Sequence, residues 1–490
     1  MNTVIMRLSL TNSLVVLLLV GSAYCAGTTK TETFEKDPGW IGVNNRSARN
    51  HPPVTIRQDF GYSKTSHAGG NIGELGGYIM PAGEIAFYGK KIDPTTLDRP
   101  LAASGTLFLE PGETHLLLGF FHADTVKEWR TPNTITMRIA GRGDHFFAYV
   151  EYCSSKWRAG GDSIPFPAIT DPETGRWELL GYPSGRRVFE WSLTYDPQGN
   201  DGQGVVTATL NGDTAISTLD EGHKLDGATF NRFGILNVMK SADTGTQVYF
   251  DNITVQGQSE SFDKDPEWDG RNNRRSWQST LVRPWFDFGF SPTNFARGKS
   301  TGELGGQTFR GDCRYVERMA SYGDKLGPLT LDKPIHASGK IAMTRGVTDS
   351  TTLFGFYNSK ESMRVNDSQN DSIPENCLGI HVEGPSSEGF CFYPVYRTRG
   401  GQSRISVARR FNHIYPDGKD HHWSLDYDPL GASGKGEITV VFDGDSRTFD
   451  LEEGDRSAGT TFDRFGIVTS WIDGNSQNIY WDDITYTVTQ

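Results

Sequence analysis

Carboxylates recur at matched landmarks along this chain. Glu35 and Asp263 each follow a phenylalanine in the related runs Phe34-Glu35-Lys36-Asp37-Pro38 and Phe262-Asp263-Lys264-Asp265-Pro266. Asp251 and Asp482 sit near the far ends of the same repeat, in Phe250-Asp251-Asn252-Ile253 and Trp481-Asp482-Asp483-Ile484. If first and last strands lie side by side, Glu35 meets Asp251 and Asp263 meets Asp482. Two carboxylates with backbone carbonyls suit Ca²⁺, which takes about 6–8 oxygens, and such an ion would stabilise rather than catalyse. The competing reading has these acids capping strand ends or pairing with Lys36 and Lys264. Glu74 stands between glycines in Gly73-Glu74-Leu75-Gly76-Gly77, repeated at Gly302–Gly306, where a ligand can approach the backbone closely. It would bind sugar hydroxyls or act as a general acid, with Asp59 the nearest shared second carboxylate and Asp287 its counterpart. Glycoside cleavage needs two carboxylates at a set separation. The plainer use of Glu74 is a structural turn in which it accepts backbone N–H groups.

Rings beside arginines form the second group. Trp129-Arg130 follows one apolar run, and Trp157-Arg158 precedes Gly160-Gly161 after another. An aromatic face next to a planar donor suits a sugar ring. The corresponding places in the second half read Met363-Arg364 and Tyr396-Arg397, so the arginine recurs while the ring changes. The ligand-binding candidates are therefore Trp129, Arg130, Trp157, Arg158, Arg364, Tyr396 and Arg397. His115 and Tyr152 are weaker acid–base candidates. Trp40, Trp268, Trp191 and Trp423 recur in both halves and read as core anchors.

Several chemistries lack their residues. The histidines have no shared spacing for zinc, and His421-His422 aligns with Phe189-Glu190. Asp196-Pro197-Gln198-Gly199-Asn200-Asp201-Gly202 looks like a calcium loop, but its counterpart at 428–434 lacks Asn200 and Asp201, so a turn explains both. No phosphate loop, dinucleotide fingerprint or nucleophile elbow has a strand-to-helix context. A net charge of −12 argues against nucleic acid as a partner. Cys153, Cys313, Cys377 and Cys391 occupy unmatched positions, which implies no shared disulfide framework. Cys377 and Cys391 flank a hairpin, where a cross-strand bridge and buried free thiols are both open.

The elements that must position these residues come as one module written twice. Beyond the landmarks above, Asn44-Asn45-Arg46 returns at 272–274, Asp59-Phe60-Gly61 at 287–289 and Phe233-Gly234-Ile235 at 465–467. The displacement grows only from 228 residues (34 to 262) to 232 (233 to 465), so the order is shared and loops differ. A period this long means two tandem domains rather than a solenoid. Residues 1–25 read as a signal peptide, with Arg7 before the run Leu14–Val20 and a cut before Ala26. Domain one would then span 26–255, a linker 256–261 and domain two 262–490. Period-2 runs such as Leu116–Phe121 and Trp191–Tyr195 predict strands, and Asn211-Gly212 and Asp443-Gly444 predict two-residue hairpin turns. No later run is apolar enough to span a bilayer.

This strand order, the hairpin and the closing run Phe462-Asp463-Arg464-Phe465-Gly466-Ile467 to Tyr480-Trp481-Asp482-Asp483-Ile484 resemble concanavalin A-like or laminin G-like jelly rolls. The opening and closing motifs are similar to carbohydrate-binding modules of secreted bacterial proteins. The resemblance implies an all-β chain of two tandem concanavalin A-like jelly-roll β-sandwich domains. It also implies structural Ca²⁺, an extracellular glycan partner, and secretion to the periplasm or cell surface. The expected function is polysaccharide binding. The alternatives are a glycoside hydrolase or polysaccharide lyase, and a structural adhesion module. The fold hosts all three.

Overall fold

Alternation of side chains builds the sheets. In Phe189–Asp196 every second residue is buried, starting with Phe189 and Trp191, so one strand face meets the core and the other meets water. The computed structural model describes residues 27–489 except 171, 176, 239–241, 243, 284, 367–372, 385, 402–403 and 406–411, and gives only the backbone of 168–169, 177–179 and 404–405. The leader expected over 1–25 lies outside the described residues.

The chain forms two β-sandwiches of jelly-roll type. In the first, a sheet ordered Asp213–Thr218, Val205–Leu210, Phe189–Asp196, Leu101–Leu109, Thr246–Val255, Glu74–Ile79, Val54–Ser63 and Arg274–Ser279 faces a second sheet. That partner runs from Ala159–Ser163 through Thr114–Phe121 and Phe87–Thr96 to Asp269–Arg271. Leu107, Trp191, Phe233 and Phe250 fill the space between them. The second sandwich repeats this around Phe354, Trp423, Phe465 and Trp481. The Asn-Gly and Asp-Gly turns are as expected: Asn211 and Asp443 both take φ +49, and Leu210 pairs Asp213 while Phe442 pairs Asp445.

The two opening segments do not serve the copies that the sequence order suggests. Thr28–Glu32 pairs with Ser476–Thr489, and Ile41–Val43 pairs with Ser321–Thr330, so the chain start completes the second sandwich. Phe34 and Trp40 are buried in that core. Phe262 and Trp268 lie in the first core instead, and Asp269–Arg271 and Arg274–Ser279 extend both of its sheets. The two dockings match in detail. The Phe–Trp ring centroids are 5.4 Å apart in one segment and 5.6 Å in the other. Tyr322 donates to Asp37 at 3.2 Å, as Tyr88 donates to Asp265 at 3.1 Å. Asn45 donates to the Phe288 carbonyl and Asn273 to the Phe60 carbonyl, both at 2.6 Å. Gly302 (φ +125) and Gly73 (φ +115) leave the Phe34 and Phe262 carbonyls room, because a Cβ at either position would overlap that carbonyl.

This docking corrects the expected boundaries. Residues 256–261 are a turn inside the first sandwich, where Val255 pairs Gln258, and not a linker. The passage to the second sandwich falls between Ser279 and Asp287. A second passage, from Val43 to Val54, runs beside it: Ala48 N–H donates to the Phe286 carbonyl at 2.9 Å, and His51 stacks on Trp285 at 3.5 Å. The cysteine bridge is also ruled out by register. Cys377 pairs Arg397 and Cys391 pairs Glu383, so six residue steps, about 20 Å of strand, separate them. Among the described residues, Cys153, Cys313, Cys377 and Cys391 are buried and form no disulfide.

Trp40→Ala is expected to destabilise the second sandwich and Trp268→Ala the first, each by about 3–5 kcal/mol. Amide exchange reads this directly. Trp40→Ala should speed exchange in Ser321–Thr330 and Ser476–Thr489 while sparing Phe87–Thr96, the reverse of what linear domain order predicts.

Candidate functional site

Of the ring–arginine pairs, one reaches an open recess. Trp157 takes φ +60, a region that strains a bulky residue. A tight turn holds it there, with Trp157 N–H on the Ser154 carbonyl at 3.3 Å and Ser154 N–H on the Arg158 carbonyl at 2.9 Å. The turn puts the half-buried indole against the second sandwich, stacked on Tyr415 with centroids 5.6 Å apart. Tyr415 in turn lies parallel to His413 at 6.1 Å. Only the last ring of this three-ring run, His413, reaches a cavity of about 300 Å³, which is lined by Arg158, Asp220, Glu221 and His223 from the first sandwich and Ser387, Glu388 and His413 from the second.

Its polar groups are tied to one another. Arg158 Nε donates to Asp226 at 2.6 Å and a terminal nitrogen donates to the Gly222 carbonyl at 2.8 Å. The Asp226 hydrogen bond and charge hold the Arg158 pKa above its ordinary value. Burial works against ionisation of Asp226, but Arg158 outweighs it and keeps that carboxyl below its usual range. Tyr152 accepts the Asp220 N–H at 2.9 Å, which leaves its hydroxyl proton for His223 Nδ1 at 3.1 Å. Burial and then Arg158 lower the His223 pKa, and the Ser387 backbone supplies a further hydrogen-bond partner across the seam. Burial likewise raises the Tyr152 pKa. His223 is therefore a neutral clamp between the two sandwiches.

The remaining candidates are placed elsewhere. Trp129 is only 8% exposed. It donates to Glu151 at 3.0 Å and lies between the Arg130 and Arg138 guanidiniums, each 5.2 Å from its ring. Although burial opposes ionisation of Glu151, Arg138 and Arg130 keep its pKa low. The second half builds a similar network from other positions. Arg364 and Arg397 flank the fully buried Trp471 and share Glu375 at 2.7 and 3.6 Å. Tyr396 is buried and bonds Asp455 at 2.5 Å. Trp129, Arg130, Tyr396 and Arg397 are interior braces and Arg364 joins its network from an exposed position, so the open Trp129-Arg130 groove is not formed. Glu74 is fully buried and accepts the His67 and Ala68 N–H groups at 2.9 and 2.7 Å, stapling a loop as Glu303 does at Phe295 and Ala296. His115 lines a separate recess with Arg142 and Glu113.

The exchanged segments also change the carboxylate that accompanies Asp251. Asp263 acts on Asp251, whose pKa is raised by burial, Glu74 and Asp263, whereas Glu35 enters with Phe34 beside the second core. In that half Asp482 is fully buried, one of its oxygens has no hydrogen-bond donor, and burial first pushes its pKa up to about 7. A Cβ on Gly69 or Gly298 would overlap the Asp251 or Asp482 carboxylate, so each acid sits in a glycine cradle. Among the described residues no three His, Cys, Asp or Glu side chains gather for a metal. A cation at either cradle would need backbone oxygens as well.

His413, Tyr415, His223 and Glu388 were not visible as site residues, since no spacing links them and only the packing of the two sandwiches brings them together. Among the described residues no helix is long and apolar enough to cross a membrane. No protein-family model matches the chain, and no curated protein matches its sequence. Among solved structures it is similar to domains LG4-5 of the mouse laminin alpha1 chain, at 11% identity over 88% of this chain and 93% of that one, with TM-score 0.24. It is also similar to an endo-beta-1,4-glucuronan lyase from the fungus Trichoderma reesei (12%, 41% and 87%, TM-score 0.29) and to the carbohydrate recognition domain of Emp47p (10%, 41% and 89%, TM-score 0.27). The likeness is one of β-sandwich architecture alone.

One buried group sets an acid limit on the second sandwich. His381 is 1% exposed, neither ring nitrogen has a hydrogen-bond partner, and burial lowers its pKa to about 4. A depressed histidine pKa favours the folded state above the unfolded value of about 6.5, and that stability is lost as pH falls toward 4. The loss is about 3 kcal/mol. Denaturant midpoints of His381→Leu should therefore fall less steeply between pH 6.5 and 4 than those of the wild type.

Proposed function

We propose that this is an exported glycan-binding protein whose ligand lies at the seam between its two sandwiches. The observation that carries the reading is a polar cavity of about 300 Å³ at the seam, reached by Arg158 and by His413 at the end of the Trp157–Tyr415–His413 ring run. Rings give a sugar its stacking surface, while Arg158, Glu221 and Glu388 offer planar donors and acceptors. Two of the site's titratable groups, Arg158 and His223, are already committed to protein partners, which favours binding over cleavage. Arg158 is held by Asp226, and His223 is held between Tyr152 and the Ser387 backbone. A general base needs a free, poised lone pair near its substrate. The wild-type protein should be retained on an insoluble polysaccharide, and Trp157→Ala should lose that retention while melting as a folded protein. Release of reducing ends or unsaturated products from the same polymer would point to the cleaving alternative instead.

The reading includes a structural calcium at the glycine cradles, with Asp482 and Asp251 as carboxylate ligands and with Glu35 and Asp263 exchanged relative to the expected pairs. What supports it is the donor-free buried oxygen of Asp482. Bound Ca²⁺ would keep that carboxylate ionised. At hundredfold excess over its Kd it would add roughly 3 kcal/mol of stability. Calcium should raise Tm relative to EDTA, and Asp482→Asn should remove most of that rise. An equal Tm in both buffers would refute the calcium.

A further inference from the structure

A second recess, of about 290 Å³, opens on the outer face of the first sandwich, lined by Arg57, Asp59, Tyr78, Gln247, Tyr249 and Arg274. Arg57 and Asp59 point outward from Val54–Ser63, and Arg274 arrives with the docked opening segment of the second repeat. The floor is nearly bare, because Gly61 pairs Gly76 there. A Cβ on Gly76 would meet the Tyr249 ring, so the glycine lets that ring lie against the sheet. Asp59 stands between two guanidiniums, accepting one long hydrogen bond from Arg57 at 3.5 Å and lying 3.7 Å from Arg274, which donates to the Tyr62 carbonyl at 2.5 Å. Both arginine side chains are more than half exposed, and Arg57 also covers Tyr78 at 5.3 Å. Two cations and one carboxylate leave a net positive recess edged by hydroxyl-bearing rings and an amide.

The second sandwich supplies an internal control. At the matching place Arg46 closes on Asp287 at 2.8 Å and Arg49 on the same oxygen at 3.2 Å. Phe290 stands where the first half has Tyr62, and Gln307 where it has Tyr78. The same scaffold carries a shut ion pair there and an open one here, so the open form is not demanded by the docking itself.

We infer that the recess binds one carboxylated sugar residue, its carboxylate between Arg57 and Arg274 and its hydroxyls on Gln247 and Asp59. The planar guanidinium fork matches a carboxylate in two hydrogen bonds, and the flanking tyrosines present rigid faces to a ring. The class of ligand rests on the glycan reading above, while the location does not. The test is calorimetric titration of the full chain with tetragalacturonate and with neutral galactotetraose. Tetragalacturonate should bind more tightly than galactotetraose. Arg57→Ala should weaken it roughly tenfold or more, the scale of one charge-assisted hydrogen bond, and Arg49→Ala should leave it unchanged. An Arg57→Ala chain that melts as wild type and binds as wild type overturns the assignment, as does equal binding of the neutral tetramer or no binding of the acidic one. Trp157→Ala separates the two sites: tetragalacturonate affinity kept with polysaccharide retention lost supports both. Retention kept in Trp157→Ala refutes the seam and leaves this recess standing if Arg57→Ala still loses the acidic ligand.

Discussion

The structure depends on a phenylalanine and a tryptophan reaching a core from outside the strands that surround it. Phe34 and Trp40 enter the second sandwich, and Phe262 and Trp268 enter the first. Without them each core lacks two of its larger side chains, and burying a large apolar side chain contributes roughly 1.5–3 kcal/mol. The first sandwich is closed by the chain that follows it directly, the second by the chain start, after a passage around its neighbour. Two connections therefore cross between the bodies, side by side, with Ala48 bonded to Phe286 and Ser47 to the Phe286 N–H. A single linker permits domain swing, whereas two hydrogen-bonded crossings remove most of it. Loops from separate sandwiches can then share a site at hydrogen-bond precision.

Charge at the seam adds to this constraint. Glu128 of the first sandwich is buried near Arg345 of the second, and burial pushes the Glu128 pKa up to about 7 while lowering that of Arg345. Such a pair adds little net stability, because desolvation offsets most of the attraction. It does penalise any displacement that would leave either charge buried alone. The Trp157 indole sits beside this pair, so the edge of the ring run is fixed by groups that a shifted seam would strand.

Much of the architecture was legible because strand alternation, Asn-Gly turns and repeated landmarks are local properties. The partner of each opening segment was not. Phe34 to Trp40 and Phe262 to Trp268 carry the same anchors, and either fits either core, so composition and pattern cannot say which is filled. The carboxylate pairs inherited that ambiguity: Asp263 acts on Asp251, where Glu35 was expected. At the site, Trp157 and Arg158 were legible by residue type. Trp129 and Arg130 are the same types at similar strand ends, yet they brace Glu151 in the interior. What separates the two pairs is burial by distant loops, and no local pattern encodes that.

Asymmetry between the halves follows from the same geometry. The core anchors answer to one requirement in each copy, so Trp191 and Trp423, or Tyr88 and Tyr322, remain matched. The seam draws on residues 152–158 and 220–226 of the first half and on 386–388 and 413–415 of the second, which do not correspond across the repeat. A surface formed by unlike edges places no pressure on the two copies to keep like residues there. Neither half contains the ring run alone, since Trp157 comes from one and Tyr415 and His413 from the other. The repeat supplies two equivalent sandwiches, and the seam cavity exists because their contact is not equivalent.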